Sequence, residues 1–142
     1  MCLLKGAAVD LETEYRPTVS EAIENLAGLA RNMNRPVVMS TDVGADGRAH
    51  EVACFVPQLG QARTTLPVDV VFDPAEKTGA PSVLLVSGTG KAVTEIEPDD
   101  VEFTRSVIAA GKECGIELLD HVLISGTGET RLREATDLWR EP

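Results

Sequence analysis

SVLLVSGTGKAVTEIEPDDVEFTRSVIAAGKECGIELLDHVLIS, residues 82–125, carries a strand, a helix and a second strand in one run. Ser82 to Val86 is a continuous apolar stretch of strand length, and Ser87-Gly88-Thr89-Gly90 follows it at once as turn chemistry. Pro98-Asp99-Asp100 opens the helix: proline suits a first turn, and carboxylates suit the positive end of the helix dipole. Val101, Thr104, Val107, Ile108 and Gly111 continue on one side until Gly115, a residue suited to the left-handed stop. Leu118 to Ser125 then reads as a strand, and a second Ser-Gly-Thr-Gly occupies 125–128.

Upstream, Thr18-Val19-Ser20-Glu21 has capping-box spacing, and Val19, Ala22, Ile23, Leu26, Leu29, Ala30 and Met33 recur on one helical face. That helix ends before Pro36. Val37 to Met39, a Gly- and Asp-rich turn from Asp42 to Arg48, and His50 to Val56 predict a hairpin. Gly60 to Thr65 reads as loop. Pro67 to Phe72 fits either a short helix or a buried strand, with Pro74 ending it in both cases. Residues 1–16 show no clear period and form an arm expected to dock on the domain of residues 17–142, whose amphipathic tail runs through Trp139. The order of elements predicts an α/β (α+β) fold, a mixed β-sheet flanked by helices.

The 142 residues hold 13 Lys+Arg against 23 Asp+Glu, a formal charge of −10, and suffice for one domain with its own core. Cys2, Cys54 and Cys114 form no closely spaced pair, which excludes a disulfide scaffold and fits a cytoplasmic location. The first residues are too short an apolar run for a signal peptide, and no stretch approaches a membrane span. The acidic balance disfavours direct contact with nucleic acid, which leaves a basic footprint on its binders.

From Ser82 to Ser125 the sequence resembles the RadC-like branch of the JAB/MPN (JAMM) metallopeptidase-like domains. The likeness is carried by Asp99 to Arg105, Ala110-Gly111 and Gly115 to Ile124. It implies a JAB/MPN, cytidine-deaminase-like sandwich with a zinc site at the mouth of the strand before the long helix. Such a site is written H-x-H, seven residues, S-x-x-D, with a glutamate from the hairpin as general base. Here the same spacing reads Ser87-x-Thr89, seven residues, Glu97-x-x-Asp100. Hydroxyls stand where two imidazoles belong, and catalytic zinc needs three protein ligands with an open position. Zinc is therefore expected to be lost, with no other cofactor. Glu97 would oppose a developing oxyanion where the family serine helps polarise the carbonyl. Glu51 is the best match to the base.

Simpler structural roles stand beside each of these. Asp100 and Glu97 suit a helix start without any metal, although with Glu51 they could gather round a magnesium ion. His121 reads as a satisfied core histidine. His50 and Glu51, as strand neighbours, should face opposite sides, so that at most one enters the pocket. Cys54 and Cys114 are expected to be buried small hydrophobes. Both Ser-Gly-Thr-Gly stretches read as turns, since the Walker pattern is absent. The expected function is a catalytically inactive, scaffolding pseudoenzyme that takes a protein partner or a peptide in the vacant pocket round Ser87, Thr89, Glu97 and Asp100. Two alternatives stay open: a metal-dependent hydrolase rebuilt from Glu51, Asp100 and a histidine, and the family's association with DNA repair. An exposed hairpin edge would admit strand addition or a homo-oligomer.

Overall fold

In the computed structural model, which describes residues 16–141, helix α1 (Val19–Met33) leads into the hairpin of β1 (Val37–Val43) and β2 (Ala49–Phe55). Two short 3-10 turns (Arg63–Thr65 and Val68–Phe72) and helix α2 (Asp73–Thr78) precede β3 (Ser82–Gly88), α3 (Pro98–Cys114) and β4 (Glu117–Ile124). The chain closes with β5 (Glu129–Arg131), the single turn α4 (Leu132–Ala135) and a 3-10 turn at Leu138–Arg140. The strands form one sheet in the order β2-β1-β3-β4-β5. β3 and β4 are parallel, joined by α3, and every other neighbouring pair is antiparallel. The expected mixed sheet flanked by helices is present. The arm expected over residues 1–16 lies outside the described residues except for Arg16.

The sheet is covered on both faces. On one, Ala22, Ile23, Leu26 and Ala30 of α1 pack on Val37, Met39, Leu84 and Val86. On the other, Phe103 and Val107 of α3 and Phe72 pack on Val83, Leu85 and Leu118. A central strand buried on both faces has no polar side, which is why Ser82 to Val86 shows no alternation. The capping box of α1 forms as its spacing requires: the Glu21 N–H donates to Thr18 Oγ1 at 3.3 Å, and the Thr18 N–H donates to Glu21 Oε1 at 2.9 Å. Asn34, at φ 52°, ends the helix ahead of Pro36.

Several expectations need correction. Pro67 to Phe72 resolves as a turn of 3-10 helix, and Pro74 does not end it: it sits in the first turn of α2, where no backbone N–H is needed. The tail contains a third antiparallel pairing, because Ser125 to Gly128 closes β4 onto the short β5, with the Ser125 N–H donating to Gly128 O at 2.9 Å. Cys54 and Cys114 are exposed rather than buried. Cys54 lies on the end strand of the sheet, and Cys114 is the last residue of α3, so neither has a layer above it. No helix among the described residues is long and apolar enough to cross a membrane.

Gly111 marks the tightest approach in the α3 layer. A Cβ there would lie 2.3 Å from the carbonyl oxygen of Ile116, which is backbone and cannot swing away. Alanine normally favours a helix over glycine, so the sign of this substitution separates propensity from packing. Gly111→Ala is expected to destabilise the domain by about 1–3 kcal/mol in urea unfolding. A stabilised variant would show that the close approach is absent in solution.

Candidate functional site

The end of β3, the start of α3 and the loop after β2 converge on one polar cluster. Ser87 and Thr89 enter from β3 and its continuation, both buried. Glu97 is the N-cap of α3, and Asp100 sits three residues on, 1% exposed. The Asp100 carboxylate faces two donors: Oδ2 accepts the Glu97 N–H at 3.0 Å, and Oδ1 accepts from Arg63 Nη2 at 2.5 Å. Arg63 belongs to the first 3-10 turn, and its side chain is 13% exposed. Nothing in the sequence pattern marked it, because it stands in a segment read only as loop. Glu97 turns outward to Lys91 Nζ at 2.9 Å, which holds its carboxyl below the usual carboxylate range, and the Lys91 N–H donates to Thr89 Oγ1 at 3.1 Å. Two cations, Arg63 and Lys91, thus balance two carboxylates, Glu97 and Asp100. The Arg63 side chain lies against Asp100 in the place expected to be vacant.

Ser87, His121 and Thr104 continue the cluster inward. His121, on β4 and 1% exposed, has Nε2 at 2.7 Å from Ser87 Oγ and Nδ1 at 2.7 Å from Thr104 Oγ1. The tautomer follows from the next bond. Thr104 Oγ1 lies 2.7 Å from the Asp100 carbonyl, which can only accept, so the one hydroxyl hydrogen goes there. Nδ1 must then carry the imidazole proton and donate it to Thr104, which leaves Nε2 to accept from the Ser87 O–H. From Ser87 through His121 and Thr104 to the Asp100 carbonyl, the donated hydrogens all run in one direction. Burial, reinforced by the Arg63 cation, lowers His121 from 6.5 to about 3, so the ring is neutral at ordinary pH. The core-histidine expectation fits this environment, with Phe103 packed edge-on at 6.2 Å between ring centroids.

Glu51 is not brought to this cluster. Ser87 is level with Val38 and Phe55, whereas Glu51 lies four residues back along β2, near Asp42, and pairs with Lys77 at 3.4 Å. The expectation that His50 and Glu51 face opposite sides also fails, because β2 uses one more residue than β1 between Thr41↔Val52 and Val43↔Ala49. At this bulge both N–H groups donate to Asp42 Oδ1, at 3.1 and 2.7 Å, and both side chains line one open cavity with Lys77 and Thr78. His50 Nδ1 meets Asp42 Oδ2 at 3.0 Å, and the Thr78 hydroxyl donates to the same oxygen at 2.5 Å. Burial alone would raise the Asp42 carboxyl, but these donors together hold it below its ordinary value.

Residues 46–136 match the family model described as a RadC-like JAB domain. The chain belongs to the RadC-like JAB domain family. A UPF0758 protein of Trichormus variabilis is 31% identical over 112 residues, covering 78% of this chain and 44% of that protein. A UPF0758 protein of Nostoc sp. is equally similar over the same shares, and one of Syntrophomonas wolfei is 44% identical over 54 residues, 38% of this chain and 23% of its own length. The chain thus spans less than half the length of these curated relatives.

For a RadC-like JAB domain the decisive question is whether these residues suit zinc, and they do not. Ser87 gives its hydroxyl hydrogen to His121, both ring nitrogens of His121 are engaged, and both oxygens of Asp100 have donors of their own. Among the described residues no group of three or more His, Cys, Asp or Glu side chains is placed to hold a metal ion. With Glu51 paired to Lys77 away from Asp100, neither the rebuilt hydrolase set of Glu51, Asp100 and a histidine nor the magnesium set of Glu51, Glu97 and Asp100 is gathered.

Proposed function

We propose that this RadC-like JAB domain carries out no zinc-dependent hydrolysis and works by binding a protein or peptide. The supporting observation is the contact of Arg63 with the buried Asp100. A guanidinium supplies the positive charge that a ligating carboxylate seeks, yet it offers no vacant coordination position. It cannot polarise a carbonyl as a Lewis acid does, cannot generate hydroxide from a bound water, and has no lone pair with which to act as a base. The binding half of the reading draws on a cavity of about 310 Å³ away from this cluster, lined by Ile108, Ile116, Leu118 and Trp139 with Lys112 and Arg133 beside them. Concave apolar surfaces of this size with a few polar groups at the margin are what ligand sites require.

Elemental analysis of protein purified without chelators, followed by zinc titration monitored by thermal unfolding, tests the reading. The expected outcome is far less than one zinc per chain and no upward shift of Tm. One tightly held zinc per chain, together with chelator-sensitive cleavage of an isopeptide-linked substrate, overturns it.

A further inference from the structure

The cavity of about 310 Å³ lies at the opposite end of α3 from Asp100. Ile108 and Lys112 reach it from the last turns of the helix, Ile116 and Leu118 from the entry to β4, and Trp139 from the tail. The 17 residues of α3 span about 25 Å, so a single side chain bound here does not touch the Asp100 cluster. Trp139 is fixed as part of the wall, because its indole N–H donates to Leu118 O at 2.8 Å. Arg133 is fixed beside it: the guanidinium lies 5.8 Å from the centre of the Trp139 ring, and Nη1 donates to Leu119 O at 2.9 Å.

The charge at the margin is as informative as the shape. Three charged side chains line the cavity, Lys112 and Arg133 positive and Glu117 negative, a local positive excess in a chain whose formal charge is −10. Glu117 has Arg133 at 3.6 Å. The nearby Glu141 carboxylate is taken by Arg105, whose Nε and Nη2 donate to it at 3.0 and 3.2 Å. Lys112 Nζ reaches only the backbone carbonyl of Glu141, at 3.5 Å, and forms no ion pair among the described residues. Its neighbours on the helix face are Ile108, Ala109 and Gly115, so α3 supplies no carboxylate. Its place in the last turn meets the negative end of the helix dipole, but that interaction consumes none of the three ammonium hydrogens. An apolar space bordered by an unmatched cation suits a ligand that joins a large apolar group to a carboxylate.

Within an extended peptide, successive side chains point to opposite sides, so an acidic residue beside an apolar one turns its carboxylate away from the surface that holds the apolar group. At a C-terminus the α-carboxylate and the side chain leave the same Cα. We infer that the cavity receives the C-terminal residue of a partner protein, a large apolar side chain inside and its α-carboxylate on Lys112, an inference that rests on the binding role proposed for this domain.

Trp139 is the single tryptophan of the chain, so its emission, excited where phenylalanine does not absorb, reports on the cavity. N-acetyl-L-phenylalanine stands for such a terminus, and N-acetyl-L-phenylalanine amide for the same group without the charge. Titrated into the full chain, both are expected to change Trp139 emission to saturation, the acid binding about fivefold tighter than the amide at low salt. Lys112 is exposed, and Lys112→Gln should bring the acid down to the level of the amide while leaving the amide unchanged. Equal affinities, tighter binding of the amide, or an acid preference that survives Lys112→Gln overturns the inference and leaves apolar binding at the cavity standing. No saturable change with either compound overturns both.

Discussion

Arg63→Ala is expected to destabilise the domain by about 3–5 kcal/mol, the scale on which an uncompensated buried charge acts. Asp100 is 1% exposed, and without the guanidinium its side chain keeps only the Glu97 N–H as a donor. The exposed pairs of this chain are a useful contrast. Lys77 with Glu51, or Arg140 with Asp137, keep their water and should change stability by under about 1 kcal/mol when broken. A paired substitution isolates the charge from the packing: Arg63→Met with Asp100→Asn keeps both volumes and an oxygen for the Glu97 N–H, and should recover most of the loss. Urea unfolding of the three variants measures this directly. If Arg63→Ala cost no more than an exposed pair, the guanidinium would not be seated on Asp100, and the reading of the cluster would lose its main support.

The second large effect is a dependence of stability on pH carried by His121. In the folded chain its pKa is about 3, against 6.5 for an unperturbed imidazole. Above pH 6.5 neither state holds the proton and the contribution to stability is complete. Between 6.5 and about 3 the unfolded chain binds a proton that the folded chain excludes, so stability declines as pH falls, by about 1.4 kcal/mol per pH unit. Carboxylates titrate in the same window and mask this in the wild-type curve alone. Comparison with His121→Gln removes them: the variant is less stable at pH 7, and its deficit should shrink steadily from pH 6.5 to pH 4. A deficit that stays constant over that range would mean the imidazole is not held neutral.

Most of the architecture is local information, and it was legible. The capping box at Thr18, the proline and aspartates that start α3 and the glycine that stops it act through backbone groups only a few residues away, so they work wherever the segment finds itself. The unbroken apolar run of β3 likewise announced a strand, and the structure adds that it is covered on both faces. The placing of Ser87 and Thr89 at the family's two imidazole positions came from the resemblance, whose spacing this sequence keeps. Pro74 misled because proline's effect depends on whether it falls inside a helix or in its first turn, a distinction that composition does not contain.

By itself, then, the sequence determined the two long helices, the hairpin, the strands on either side of α3 and the family, because each of these rests on neighbours or on a motif within one segment. Only the tertiary structure decided which side chains surround Asp100 and His121. Arg63 meets Asp100 across 37 residues, and His121 joins Ser87 to Thr104 across two strands and a helix. Contacts of this kind are set by where a loop folds and how strands register, and a single extra residue in β2 is enough to send Glu51 to Lys77 and place His50 on Asp42.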